Sequence, residues 1–145
     1  MRSFTYTEHI DRAPERVWAY MMDLSKASRW RSLVRTAEIV TPGPLGVGSQ
    51  LRVVFDVRGR TRALVTDVWS YEPCRRFGLR NTERNITGRF EYRLEPAGTG
   101  TRISLSCDIR PHGLMWLLLP FLIPGNRARY AQQLPNLKRE VEREP

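Results

Sequence analysis

His9 and His112 are the only two histidines among the 145 residues, and neither stands in a His-Glu-x-x-His metal spacing. No serine sits in a Gly-x-Ser-x-Gly elbow, and no glycine-rich phosphate loop precedes a helix. Hydrolytic, nucleotide-dependent and zinc-dependent chemistries therefore lack their usual parts, and neither a metal nor a cofactor is expected. Asp67, in an otherwise apolar-leaning strand, and His112, at the expected start of the last helix, are the titratable groups to consider for general acid–base work. Both also have ordinary structural roles open to them. Asp67 can face solvent or pair with an arginine, and His112 can flank a helix. Proton transfer further requires a positioned partner, which spacing alone does not supply.

Cys74 and Cys107 are too few and too far apart for a metal cluster or a disulfide framework, and read as small core or near-surface thiols. Lys and Arg number 24 against 15 Asp and Glu, a net charge of +9. The arginines are scattered and mostly alternate with apolar residues, as solvent-facing strand positions do, and no long run of like charge occurs. No nucleic-acid recognition motif accompanies them, so nucleic acid is not an expected partner. The first residues lack an apolar signal region, and the apolar stretch from Leu114 to Ile123 is interrupted by Pro120 and too short to span a bilayer. A soluble cytoplasmic protein is the expectation, with residues 1–145 as one domain.

The elements that must position any site can be read from periodicity. Phe4, Tyr6 and Ile10 lie on one face of a first strand. Ala13-Pro14-Glu15 opens a helix, since proline at the first helical position gives up no needed N–H and Glu15 suits the positive end of the helix dipole. Val17, Tyr20, Met21 and Leu24 form its buried stripe, and Ser25 is placed to cap a second short helical turn towards Trp30. Six strands follow, over 33–40, 51–57, 63–71, 76–81, 88–95 and 102–109. The last two alternate most cleanly, which means one wet and one covered sheet face. The cover must come from helices. A final helix capped by Asn126 presents Tyr130, Leu134, Leu137 and Val141 as one stripe, with a kink expected at Pro135. An α+β fold follows, in which a curved antiparallel sheet wraps one long helix and leaves room for a small-molecule pocket between them.

Several short motifs, in this order, resemble the START/Bet v 1-like (SRPBCC) superfamily, in its polyketide cyclase/dehydrase and lipid-transport branch. They are Ile10-x-x-Ala13-Pro14-x-x-Val17-Trp18, Asp23-Leu24 with Trp30, Gly43-Pro44-Leu45-Gly46-Val47-Gly48, Tyr71-Glu72-Pro73-x-Arg75-Arg76, and Gly98-x-Gly100-Thr101-Arg102. The resemblance implies the helix-grip fold, a seven-stranded antiparallel sheet around a long kinked C-terminal helix with two short helices after the first strand. It also implies a partly open cavity, where close packing of the same side chains would leave none. Strand parity puts Phe55, Val57, Phe90, Tyr92, Leu105 and Cys107 on the inward face. Met115, Leu118, Leu119 and Leu122 come from the C-terminal segment, and Trp30 from the short helix. The Tyr92 hydroxyl and the Trp69 indole N–H are candidates for orienting a polar ligand end, although the parity of Trp69 is ambiguous. Arg127 and Arg129, beside Tyr130, supply either a basic mouth or a solvated helix face.

The leading expectation is a protein that binds or carries a hydrophobic molecule of polyketide, lipid or isoprenoid-like type, as monomer or homodimer. A cyclase or dehydratase using Tyr92, Asp67 or His112 is the enzymatic alternative, since holding a flexible chain in place itself favours ring closure. A third reading is a peripheral protein on an anionic membrane surface, with the apolar residues from Trp116 to Ile123 as a lip beside Arg127 and Arg129.

Overall fold

The computed structural model describes residues 2–31, 34–57, 59–83, 86–113 and 130–144. Seven strands form one antiparallel sheet in the order β1-β7-β6-β5-β4-β3-β2. They are β1 (Arg2–Ile10), β2 (Val34–Ile39), β3 (Gln50–Val57), β4 (Arg60–Glu72), β5 (Arg76–Glu83), β6 (Ile86–Ala97) and β7 (Gly100–Pro111). From β2 to β7 each strand pairs with the next in sequence, while β1 crosses to lie against β7, with Arg2 opposite Ile109 and Ile10 opposite Thr101. Between β1 and β2 come α1 (Pro14–Met22), a single 3-10 turn (Leu24–Lys26) and α2 (Ala27–Trp30). A helix over residues 130–143, here α3, ends the chain.

Local chemistry accounts for these boundaries. Pro14 begins α1 and Glu15 occupies its first turn. Val17, Tyr20 and Met21 are buried as their spacing requires, and Trp18 joins them by stacking edge-on against Tyr71 and Phe77. The expected cap at Ser25 is corrected: Asp23 caps the 3-10 turn, accepting from the Ser25 amide at 3.2 Å and its hydroxyl at 2.6 Å. An aspartate one position before the turn presents acceptors to the exposed N–H groups, which leaves the serine hydroxyl to donate. Gly98, at φ +62, makes the two-residue connection from β6 to β7, since Ala97 pairs with Gly100. Gly100 must itself remain bare, because a Cβ there would stand 2.5 Å from the Ile10 carbonyl oxygen.

One face of the sheet is covered. Phe77 and Leu79 of β5, Tyr92 and Leu94 of β6, and Ile103, Leu105, Cys107 and Ile109 of β7 are buried together with Leu134, Leu137 and Val141 of α3. Pro135 is exposed, and residues 130–143 are helical without interruption through it. Polar ties hold the end of α3 to the β1–α1 connection. Glu142 accepts from the Asp11 amide at 2.8 Å, Arg12 donates to the Glu142 carbonyl at 2.7 Å, and Lys138 reaches the His9 carbonyl at 2.8 Å. The arginine thus satisfies a carbonyl that the helix end leaves without an intrahelical partner. The sheet, α3 over its inner face and the two short helices after β1 are the helix-grip architecture.

Candidate functional site

The inner face of β6 and β7 carries few polar atoms, and these gather where α2 and α3 approach it. Tyr92 is buried, its ring meeting Trp30 edge-on at 5.6 Å between centroids. Its hydroxyl donates across to the Gln133 side-chain oxygen of α3 at 2.5 Å. Asn136, one turn further along α3, donates to the Trp30 carbonyl at 3.4 Å. The chain end of α2 is therefore tied to the helix that covers the sheet. The Trp30 indole nitrogen and the Arg31 Nε are buried and have no hydrogen-bond partner among the described residues. Burial holds the Tyr92 phenol well above its ordinary value, against a smaller downward pull from the Arg31 guanidinium. Burial likewise pushes the nearby Cys107 thiol up to about 12, so it stays protonated at neutral pH. Around this polar end the walls are apolar. Leu105 is fully buried, Phe55 is half-buried against the core, and Phe90 packs on Tyr130 at 5.1 Å.

Of the expected lining residues, Trp30, Phe55, Phe90, Tyr92 and Leu105 lie on this inner side. Met115, Leu118, Leu119, Leu122, Arg127 and Arg129, with the expected cap Asn126, lie outside the described residues, as does the side chain of Val57. Trp69 is a correction: it sits on the opposite face. Val68 must point inward opposite Leu79, and a bulge between Val68 and Ser70 leaves Trp69 and Ser70 both outward, turning Tyr71 back towards Phe77. The Trp69 indole lies over Gly78, where an added Cβ would come within 2.8 Å of it, and the Arg89 guanidinium lies 4.0 Å above its ring. This pair borders a separate outer groove of about 220 Å³ that Ser3, Glu91, Ser106 and Asp108 also line.

The acid–base candidates are not brought together. Asp67 lies on the outer side of β4, accepting from Gln50 at 2.9 Å and pairing with Arg80 at 3.8 Å. His112 is exposed just beyond β7, its Nε2 3.0 Å from the Thr87 hydroxyl, and is not in a helix. Only Tyr92 faces the interior. Gln133 and Arg31 escaped the sequence reading. Gln133 carried a signal, being three residues after Tyr130 and four before Leu137, a polar side chain on an otherwise apolar stripe. Arg31 carried none, because arginine following a short helix is ordinarily solvated. Among the described residues no three His, Cys, Asp or Glu side chains gather as a metal site, and no helix is long and apolar enough to cross a membrane.

An open antiparallel sheet gripping a terminal helix, with a mainly apolar inner face, is the Bet v 1-like helix-grip fold. Solved structures agree on the fold. A protein from Thermus thermophilus, TTHA0849, superposes with a TM-score of 0.76 at 19% identity over 97% of both chains. The Zhui aromatase/cyclase from Streptomyces sp. R1128 gives 0.74 at 18% identity, covering 98% of this chain and 94% of its own. Ara h 8.0201 gives 0.70 at 14% identity over 97% of both. Residues 1–142 match the polyketide cyclase/dehydrase and lipid transport family, and the chain belongs to it. No curated protein matches the sequence significantly.

Proposed function

We propose that the protein binds a hydrophobic small molecule, of polyketide, lipid or isoprenoid-like type, between the inner sheet face and α3. The observation that carries this reading is the pairing of an apolar wall with a small buried polar end. Leu105, Phe55 and Phe90 supply apolar surface, while Trp30 offers an indole N–H that no described residue uses. A buried donor without a partner costs roughly 1–3 kcal/mol, a cost that a ligand oxygen would remove. Family membership supports the same class of ligand. In this reading Trp30, Phe55, Phe90, Tyr92 and Leu105 contact the ligand, and Met115, Leu118, Leu119 and Leu122 complete the lining. Native mass spectrometry of gently purified protein is expected to show a bound apolar compound. A protein that carries none, and takes up neither fatty acids nor an apolar dye, would sink the proposal.

The family description also covers cyclisation, and a second reading has the site fold a poly-β-keto chain for ring closure. In that reading Tyr92, kept protonated by burial, acts as hydrogen-bond donor or acid rather than base. Turnover of a poly-β-keto thioester that falls in Tyr92→Phe is the expected result, and a rate indifferent to that change would remove Tyr92 from the chemistry.

A further inference from the structure

Arg31 is the feature that the apolar reading leaves unused. Among the described residues its buried Nε has no hydrogen-bond partner and no carboxylate pairs with it. Five arginines of the outer sheet face are answered by carboxylates. Arg76, Arg80, Arg93, Arg102 and Arg110 each have a carboxylate within 4.0 Å. Arg31 follows directly on Trp30, whose indole N–H is also buried and unpartnered. The guanidinium lies close enough to act electrostatically on the Tyr92 hydroxyl. A partly buried cation without a counter-ion is costly unless something anionic completes it.

The other polar groups of the site narrow the choice. The Tyr92 proton is committed to Gln133, and Gln133 is neutral. Neither adds a second positive charge. What remains is one guanidinium and one indole N–H, a donor set for two oxygens that share a single negative charge. We propose that the site selects amphiphiles with a carboxylate head, which Arg31 and the Trp30 indole hold while the apolar tail lies along the inner sheet face. The proposal rests on the reading of the interior as an apolar ligand site, and it names the class of ligand.

The test compares decanoate, decanol and decyl phosphate, which share one tail, by calorimetric titration of the full chain. The native protein is expected to bind decanoate about tenfold or more tightly than decanol, and no more weakly than decyl phosphate, because one charge-assisted contact separates the acid from the alcohol. Arg31→Gln should bring decanoate to within about twofold of decanol, with a larger loss of affinity for decanoate than for decanol. Equal binding of decanoate and decanol by the native protein overturns the carboxylate proposal and leaves the apolar site standing. Tighter binding of decyl phosphate overturns the single-charge argument, and a preference that survives in Arg31→Gln removes Arg31. If none of the three binds, both the apolar reading and this proposal fall together.

Discussion

On the inner face Trp30 and Arg31 stand beside Tyr92; on the outer face Trp69 and Arg89 stand over Gly78. In each pair an indole N–H and an arginine Nε are buried without a hydrogen-bond partner among the described residues. The surroundings then separate them. The outer guanidinium rests on the indole face at 4.0 Å, so the ring's negative face answers the cation. The adjoining carboxylates are engaged elsewhere, Glu91 with Arg93 at 2.6 Å and Asp108 with Arg110 at 3.4 Å. Inside, Arg31 has neither an aromatic face nor a carboxylate among the described residues. The same two residue types close on each other outside and remain open to a third party inside. A side chain's chemistry is thus set less by its identity than by which side of the sheet it lies on.

The largest expected difference between the faces is in stability. Leu105 is wholly buried and Ser106, the next residue, points to the outer side. Leu105→Ala should cost about 2–5 kcal/mol through lost burial and a residual cavity. Ser106→Ala should remain within about 0.5 kcal/mol, as surface changes usually do. Urea unfolding of the two variants measures both. Similar losses from both would mean that the outer face is packed as tightly as the inner one, and the contrast would collapse.

A smaller effect tests whether the outer pair is a closed structural unit. Gly78→Ala places a methyl group 2.8 Å from both the Ser70 Cβ and the Trp69 indole. Relieving that contact means displacing the ring or the strand, at about 1–3 kcal/mol. In a Trp69→Ala background the Ser70 contact remains and the indole contact is gone, so the cost of Gly78→Ala should shrink. A double-mutant cycle by urea unfolding reads the coupling. Additive losses would show that the indole is not pressed against the strand.

The fold was largely legible because it is written in repeating patterns. Period-two alternation in β6 and β7, the stripe through Leu134, Leu137 and Val141, and Pro14 at the head of α1 each reflect a local rule that tertiary structure preserved. The site was legible only in its apolar part. Leu105, Phe90 and Tyr92 follow from strand parity, but the partners of Tyr92 do not, since Gln133 is 41 residues away and meets it only through the docking of α3. Trp69 shows the converse. Its strand contains a bulge, which no composition rule announces, so the parity count beyond Val68 could not be completed from sequence.

The smallest expected effect concerns the thiol of the inner face. Burial raises Cys107 from an ordinary value of 9.0 to about 12, so the folded protein retains a proton that the unfolded chain gives up earlier. The unfolded state is favoured as pH rises through that interval. Stability from this group is therefore complete below about pH 9 and falls above it. One pH unit above the ordinary value the loss should be about 1.4 kcal/mol. Tyr92, raised by burial from 10.0, adds to the decline in the same direction at higher pH. Comparing urea unfolding at about pH 8 and about pH 10, Cys107→Val should lose most of the alkaline decline, because valine has no proton to release. Arg102→Gln, on the outer face beside Glu95, should retain it. If Cys107→Val declined as steeply as the native chain, the thiol would be as hydrated as a surface group. The inner face would then not be the dry wall on which an apolar ligand depends.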